Sequence, residues 1–424
     1  MSDKRIKIKG GAEYCFRSLA GRNSTAVGIW IREGARHEPA RFKGIAHYLE
    51  HLLFKGSRKY SYRKIKEKIE GCGGQLNGFT SQEATCYYAR VLNRNVSTTL
   101  DILLDMVMDP LLKETDIKKE RKVIHEEINM YNDMPSARVM SILDAMLWPA
   151  DPLGIDVIGT PETVDAISRD DLLAFKKKFY RPANMVVTVC GQEAVEIFDV
   201  IKDRLESPEK SIKKEQNRHR ILIPRGFQIE KEIKPFNQSH IAIGFPGMDY
   251  NSKDKYVMEV IHTVLGANMS SRLFESLREK KGLAYDVSTS TRKYADTGAF
   301  MIHCGLDGAN LHTATKLIFR ETDIIRNEPV PARELKRAQD YMLGNLLMNF
   351  ESSLSNMLYV GESIVARDKI HDYNYIEDRI LSVTPDDILR VARDIFRYDH
   401  AKAAVVTNNN DEHLEEKLKR CLDG

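Results

Sequence analysis

Net charge is almost absent: 64 Lys and Arg face 61 Asp and Glu across 424 residues, leaving +3. That balance argues against a protein held to nucleic acid by its overall charge. Long apolar runs are missing as well. None is long enough to form a membrane-spanning helix, and the basic start, Met1 to Gly10, has no apolar segment behind it. A cytoplasmic chain with no membrane attachment is expected, an organelle matrix being the other compartment compatible with this pattern. The six cysteines, Cys15, Cys72, Cys86, Cys190, Cys304 and Cys421, form no CxxC pair. They supply neither a thiolate zinc site nor a disulfide framework, and are expected to stay reduced.

What is present is ordinary globular composition, 42% hydrophobic and 29% charged, in a chain longer than one core usually serves. Glu206 to Arg220 (ESPEKSIKKEQNRHR) holds Pro208, five Lys or Arg residues after it and almost nothing apolar. It reads as a linker. The expected division is therefore 1–207, a linker at 208–224, and 225–424. The halves carry parallel patterns. Ala26 to Trp30 (AVGIW) resembles Ile241 to Phe245 (IAIGF), and Asp116 to Glu120 (DIKKE) resembles Glu334 to Ala338 (ELKRA), at nearly equal offsets along the chain. Short β-rich runs such as Met185 to Cys190 (MVVTVC) and Lys402 to Thr407 (KAAVVT) alternate with longer helical periods. The fold class expected is α+β: two homologous α/β-sandwich-like domains from an internal duplication.

The chemistry concentrates in Gly44 to Gly56, GIAHYLEHLLFKG. Phe42, Ile45, Leu49, Leu52 and Leu53 form an apolar stripe at helical steps, and His47 and His51, four residues apart, project together on the opposite side. Two imidazoles one turn apart suit zinc, and Glu50 between them can accept a proton from water. This is the HxxEH order of the inverzincins. Two surface histidines on a solvated face are the plain alternative. A third ligand is sought in Asp116 to Tyr131 (DIKKERKVIHEEINMY), where Ile117, Ile124, Ile128 and Tyr131 mark an apolar face. Glu120 and Glu127 lie beside that face, while Glu126 is placed for ordinary pairing with Lys122 in solvent. A carboxylate near an apolar face needs a charge partner or a metal. Glu127 is therefore the expected ligand. Glu120 is either an outer group orienting a ligand histidine or a rim salt bridge.

These residues, with Gly34 to Glu38 (GARHE), Gly73 to Tyr88 (GGQLNGFTSQEATCYY), Glu120 to Ile128 (ERKVIHEEI) and Ser271 to Val287 (SRLFESLREKKGLAYDV), resemble the pitrilysin and mitochondrial processing peptidase family, in its short-chain branch, over most of the chain. The resemblance implies a zinc endopeptidase holding one Zn2+ per chain on His47, His51 and Glu127, with Glu50 as general base. The separation of Glu127 from His51 is close to the family spacing. The resemblance also implies an edge strand around Leu76, Asn77, Gly78 and Phe79 onto which an extended substrate adds, with Asn77 holding its backbone. The family commonly has Ala where this chain has Gly78. Arg278 and Tyr285 match a pair that stabilises the developing oxyanion, and Gly282 is expected to end a helix between them. Without the resemblance, Arg278 reads as an exposed cation and Tyr285 as a packed aromatic.

The second half has Thr263 to Asn268 (TVLGAN) where the first has its histidines, so one metal centre per chain is expected. Resemblance further implies that the chain is half of a clamshell completed by a second chain. A homodimer acting on peptides is the expected assembly, with a heterodimer with a sister subunit open. Rival readings are a catalytically silent or partner-dependent scaffold subunit and a metal-dependent hydrolase of another bond. The basic linker lacks the interleaved aromatics of a nucleic-acid module.

Overall fold

β-Branched runs buried at every position make central strands, as in Met185–Gly191 and Lys402–Thr407. The computed structural model describes residues 3–149, 151–192, 197–207, 221 and 224–422; most of the linker expected at 208–224 lies outside them. The first sheet comprises β1 (Asp3–Lys7), β2 (Glu13–Ser18), β3 (Ser24–Ile31), β4 (Gln75–Thr80), β5 (Thr85–Leu92) and β6 (Met185–Gly191), in spatial order β1-β2-β6-β3-β5-β4. The second comprises β7 (Gln228–Ile233), β8 (Ser239–Pro246), β9 (Ala284–Lys293), β10 (Gly298–Leu306) and β11 (Lys402–Thr407), in the order β7-β11-β8-β10-β9. Without β1, the two orders correspond strand for strand. β2 runs parallel to β6 as β7 does to β11, and the other neighbours are antiparallel. The duplicated α+β architecture is therefore visible in the topology, with β3 and β8, the AVGIW and IAIGF segments, at equivalent positions.

In chain order the helices are α1 (Ile45–Leu53), α2 (Tyr62–Ile69), α3 (Val96–Met108), α4 (Glu114–Asp133), α5 (Pro135–Leu147), α6 (Pro161–Ala166), α7 (Arg169–Phe179) and α8 (Phe198–Leu205) in the first half. The second half has α9 (Lys255–Gly266), α10 (Leu311–Asn327), α11 (Ala332–Phe350), α12 (Ser353–Arg367), α13 (Tyr373–Leu381), α14 (Pro385–Ile395) and α15 (Leu414–Lys419). Among the described residues no helix is long and apolar enough to cross a membrane.

The chain forms two units, and neither is a continuous stretch. One takes Met1–Ile128, Asp156–Asn217 and Leu347–Asp372; the other takes Asn129–Ile155, Arg218–Leu346 and Tyr373–Gly424. Each half of the sequence thus lends a helix to the other unit. In the first unit, Leu49, Leu53, Leu100 and Leu103 cover one sheet face at Val27, Ile29 and Tyr87. The other face, at Trp30 and Val186, is covered by Met357, Val360 and Ile364 of α12. Gly361 makes this packing possible, because a Cβ there would lie 2.0 Å from the Trp30 ring. In the second unit, α5 covers Ala242, Met301 and Val406 with Val139, Leu143 and Leu147. The opposite face packs on α9, α10 and α14 through Ile261, Ile318 and Val391.

Candidate metal centre

Ile45, Leu49, Leu52 and Leu53 bury α1, but Phe42 does not share their helix. Phe42 ends a separate turn, Ala40–Phe42. The chain rounds Gly44 between the two, at φ +91°, where a Cβ would meet the Ile158 carbonyl oxygen at 2.4 Å. Glu38 then caps α1, its carboxylate accepting from Gly44 N at 2.9 Å and Ala46 N at 2.7 Å. Two of the four unpaired N–H groups of the first turn are satisfied by this one carboxyl group, whose pKa burial raises to about 7 against those two hydrogen bonds. Tyr48 fastens α1 to α4 by donating to the Ile117 carbonyl at 2.5 Å.

On α4, Ile117, Ile124 and Ile128 are buried, whereas Tyr131 is 44% exposed and does not belong to the apolar face expected for it. The buried face stops at Ile128, where the first segment of the first unit also ends. Glu126 points to solvent. Glu127 approaches both histidines: its carboxylate oxygens lie 3.9 Å from His47 Nε2 and 3.5 Å from His51 Nε2. Ligand atoms bound at about 2.0–2.1 Å around a tetrahedral zinc are roughly 3.3 Å apart, so this spacing suits one ion with little adjustment. Among the described residues these three form the one His, Cys, Asp or Glu cluster able to hold a metal. The donor set, two imidazoles and a carboxylate, is that of catalytic zinc.

Electrostatics agrees with that fit. Burial, and then His51, pushes the His47 pKa down to about 3, which keeps it neutral as a ligand must be. His47 Nδ1 is buried and, among the described residues, has no hydrogen-bond partner. His51 is supported differently, its Nδ1 lying 3.3 Å from Glu120 Oε2. Burial alone would lower its pKa, but Glu120, Glu50 and Glu127 raise it. Burial works against the charge on Glu120 too, yet His51 and Lys55 hold its pKa below the usual range. Glu50 is buried on the same helix; desolvation raises its pKa, against Thr80 and His51. Thr80 donates to Glu50 Oε2 at 2.8 Å, which ties the carboxylate to β4.

β4 is the sheet edge, pairing with β5 alone among the described residues. Beside it opens a cleft of about 310 Å3, bounded by Glu50, His51, Phe54, Tyr62, Leu76 and Asn77 among others. Asn77 is exposed, and its Oδ1 accepts from Gly78 N at 2.8 Å. A Cβ on Gly78 would touch the Phe54 ring at 3.1 Å. Phe79 lies on the opposite side, edge-on to Trp30 at 5.7 Å between ring centres. Lys55 and Thr80 are neighbours that the sequence reading missed. Lys55 carried a signal, one helical turn after His51, whereas Thr80 arrives from a strand with none.

Arg278 and Tyr285 belong to the second unit. Arg278 lies in a π-helical turn, Phe274–Glu279, with its guanidinium 5.0 Å from the Phe274 ring centre. Gly282, at φ +58°, terminates that turn: its N–H donates to the Arg278 carbonyl and Leu283 N–H to that of Leu277. Tyr285 follows at the start of β9 and is 74% exposed, not packed. On α9, Glu259 pairs with Lys293 and His262 with Thr289.

A family model described as Insulinase (Peptidase family M16) matches residues 17–161, and one described as Peptidase M16 inactive domain matches residues 166–342. The chain is 34% identical over 400 residues to an uncharacterized zinc protease of Streptomyces coelicolor, covering 92% of this chain and 87% of that protein. It is 32% identical over 409 residues to the uncharacterized zinc protease YmxG of Bacillus subtilis, covering 96% and 99%. A solved protease from Helicobacter pylori aligns at TM-score 0.90 with 20% identity, over 96% of this chain and 99% of that one. A putative M16-like peptidase from Alicyclobacillus acidocaldarius aligns at 0.82 with 19% identity, over 96% and 98%. At such identities these two establish the fold alone. The full-length likeness to bacterial proteins named zinc proteases carries the relationship further, and the chain belongs to the insulinase family, peptidase family M16.

Proposed function

We propose that the chain is a zinc-dependent endopeptidase that hydrolyses extended, unfolded peptides such as leader, presequence or degradation peptides. One observation carries the proposal: His47, His51 and Glu127 converge while Glu50, on the same helix as both histidines, lies against the open edge strand. His47, His51 and Glu127 would hold Zn2+. When bound, the ion lowers the pKa of its water and polarises a carbonyl. With Oε2 held by Thr80, Glu50 takes the water proton on Oε1 and returns it to the leaving amine. β4 binds the peptide backbone by adding it as a further strand, with Asn77 beside it and Gly78 and Phe79 continuing the strand.

The proposed assembly is a homodimer enclosing a chamber, in which Arg278 and Tyr285 steady the oxyanion at the partner's zinc site. What supports it is the motif around these residues and the exposure of Tyr285 at the head of β9. A partner-dependent scaffold subunit is the second reading, favoured by the description of the model matching residues 166–342 as an inactive domain.

Zinc content and cleavage of a quenched, unstructured peptide, measured for wild type and Glu50→Gln together, test the reading. Wild type should hold about one zinc per chain. Glu50→Gln should keep that zinc and lose at least about 10²-fold in cleavage. Cleavage by Glu50→Gln at the wild-type rate removes Glu50 as base; a wild type free of zinc removes the peptidase reading. Zinc-loaded but inert wild type leads to the scaffold.

A further inference from the structure

The two carboxylate oxygens of Glu120 face different groups. Oε2 is 3.3 Å from His51 Nδ1, and Oε1 is ion-paired with Lys55 Nζ at 2.6 Å. The Glu120 side chain is only 8% exposed, so its orientation is decided by these two partners. Lys55 follows His51 by one helical turn, and its N–H still bonds the Leu52 carbonyl at 3.0 Å, continuing the turn that ends α1. One carboxylate from α4 is thus clasped by two groups one turn apart. Two turns beyond Glu120, along the same face of α4, stands Glu127. The Lys55 ammonium also lies 5.7 Å from the Tyr62 ring centre, so α2 restricts where it can swing.

We propose that Lys55 is a positioning residue for the metal centre. By holding Oε1 of Glu120 it aims Oε2 at His51 Nδ1, which keeps His51 Nε2 turned toward Glu127. It also locks α4 in register with α1, and so sets the distance from Glu127 to the histidine pair. His47 has no such support among the described residues, where its buried Nδ1 meets no hydrogen-bond partner; the orientation of the pair therefore depends on the His51 side. The inference rests on the reading of this cluster as a zinc site.

Its sign separates it from simple charge effects. Removing a cation close to a dication should, by Coulomb attraction alone, tighten zinc binding. Loss of a positioning group should weaken it. The measurement is zinc affinity of the full chain, by competition with a chromophoric chelator, for wild type, Lys55→Met, Lys55→Arg, Glu120→Gln and the Lys55→Met/Glu120→Gln double variant. Outer partners of ligand histidines are worth about 10- to 100-fold in affinity, which is the loss expected for Glu120→Gln. Lys55→Met should lose about 10-fold, Lys55→Arg should recover most of it, and the double variant should bind no more weakly than Glu120→Gln alone. Thermal unfolding of the metal-free proteins should show Lys55→Met still folded, with one cooperative transition, at a midpoint lowered by the loss of the Glu120 pair. Unchanged or tighter binding by Lys55→Met overturns the inference, as does a further loss in the double variant. So does a failure of Lys55→Arg to restore affinity. Wild type that binds no zinc overturns the site reading instead, a distinct result.

Discussion

His240 on β8 and His303 on β10 stack with 5.2 Å between ring centres, and Nδ1 of the first lies 3.0 Å from Nε2 of the second. Burial, and then His303, pushes the His240 pKa down to about 4. Burial lowers His303 as well, against the nearby Asp286. A histidine depressed on folding binds its proton less readily than the unfolded chain does. Its contribution is therefore complete above about pH 6.5 and is lost as pH falls toward 4. Glu33 acts in the opposite sense: burial, and then Glu38, raises it to about 9, so its contribution declines as pH rises. Comparison with His240→Gln isolates the histidine term. Between pH 6.5 and 4.5 the thermal midpoint of wild type should fall by roughly 5 °C more than that of the variant; parallel midpoints would exclude the effect. These two histidines carry no sequence signal, because they stand far apart in the chain on strands that only the sheet brings together. His47 and His51 differ in this respect. One helical turn separates them, so spacing alone reveals that they share a face, and the same spacing selects Glu127 over Glu126 on α4.

A helix advertises an apolar stripe without saying which surface the stripe will cover. That is why helical periods in both halves were legible while the destinations of α5 and α12 were not. Tyr131 failed for a related reason: the periodicity of α4 continues past Ile128, but its contribution to the core of the first unit does not. At α12 the consequence can be measured. Gly361→Val would drive a side chain into the Trp30 indole and should destabilise the protein by about 3 kcal/mol. Among the described residues, and apart from the backbone of its own helix, nothing lies within 4 Å of a Cβ position at Gly344 on α11, so Gly344→Ala should stabilise by about 0.5–1 kcal/mol through helix propensity. Thermal melting of the two variants checks both signs, and a neutral Gly361→Val would show that α12 does not lie as closely on Trp30 as described.

For the whole molecule, the duplication was legible in paired motifs such as AVGIW and IAIGF because equivalent strands face equivalent cores. The expected cut at 208–224 followed from composition, which registers where the chain is polar but not where its helices pack. Assembly is open to a direct test by mixing two inactive chains. If Tyr285 serves the zinc site of its partner, a Glu50→Gln chain and a Tyr285→Phe chain together rebuild one complete site per mixed dimer. Equal mixing should then recover about a quarter of wild-type cleavage, since half of the dimers are mixed and each has one intact site. Activity no higher than that of the separate variants would place the pair in one chain or exclude the dimer. The lending of helices between the halves also sets a clock for synthesis. β6 completes the first sheet at Gly191, yet the helix that shelters Trp30 begins at Ser353. At about 5–20 residues per second a ribosome needs roughly 10 to 30 s to cross that interval. The second sheet has the reverse experience, its α5 emerging before any of its strands. The amino-terminal half must therefore wait, one face bare, for the carboxy-terminal half to be made.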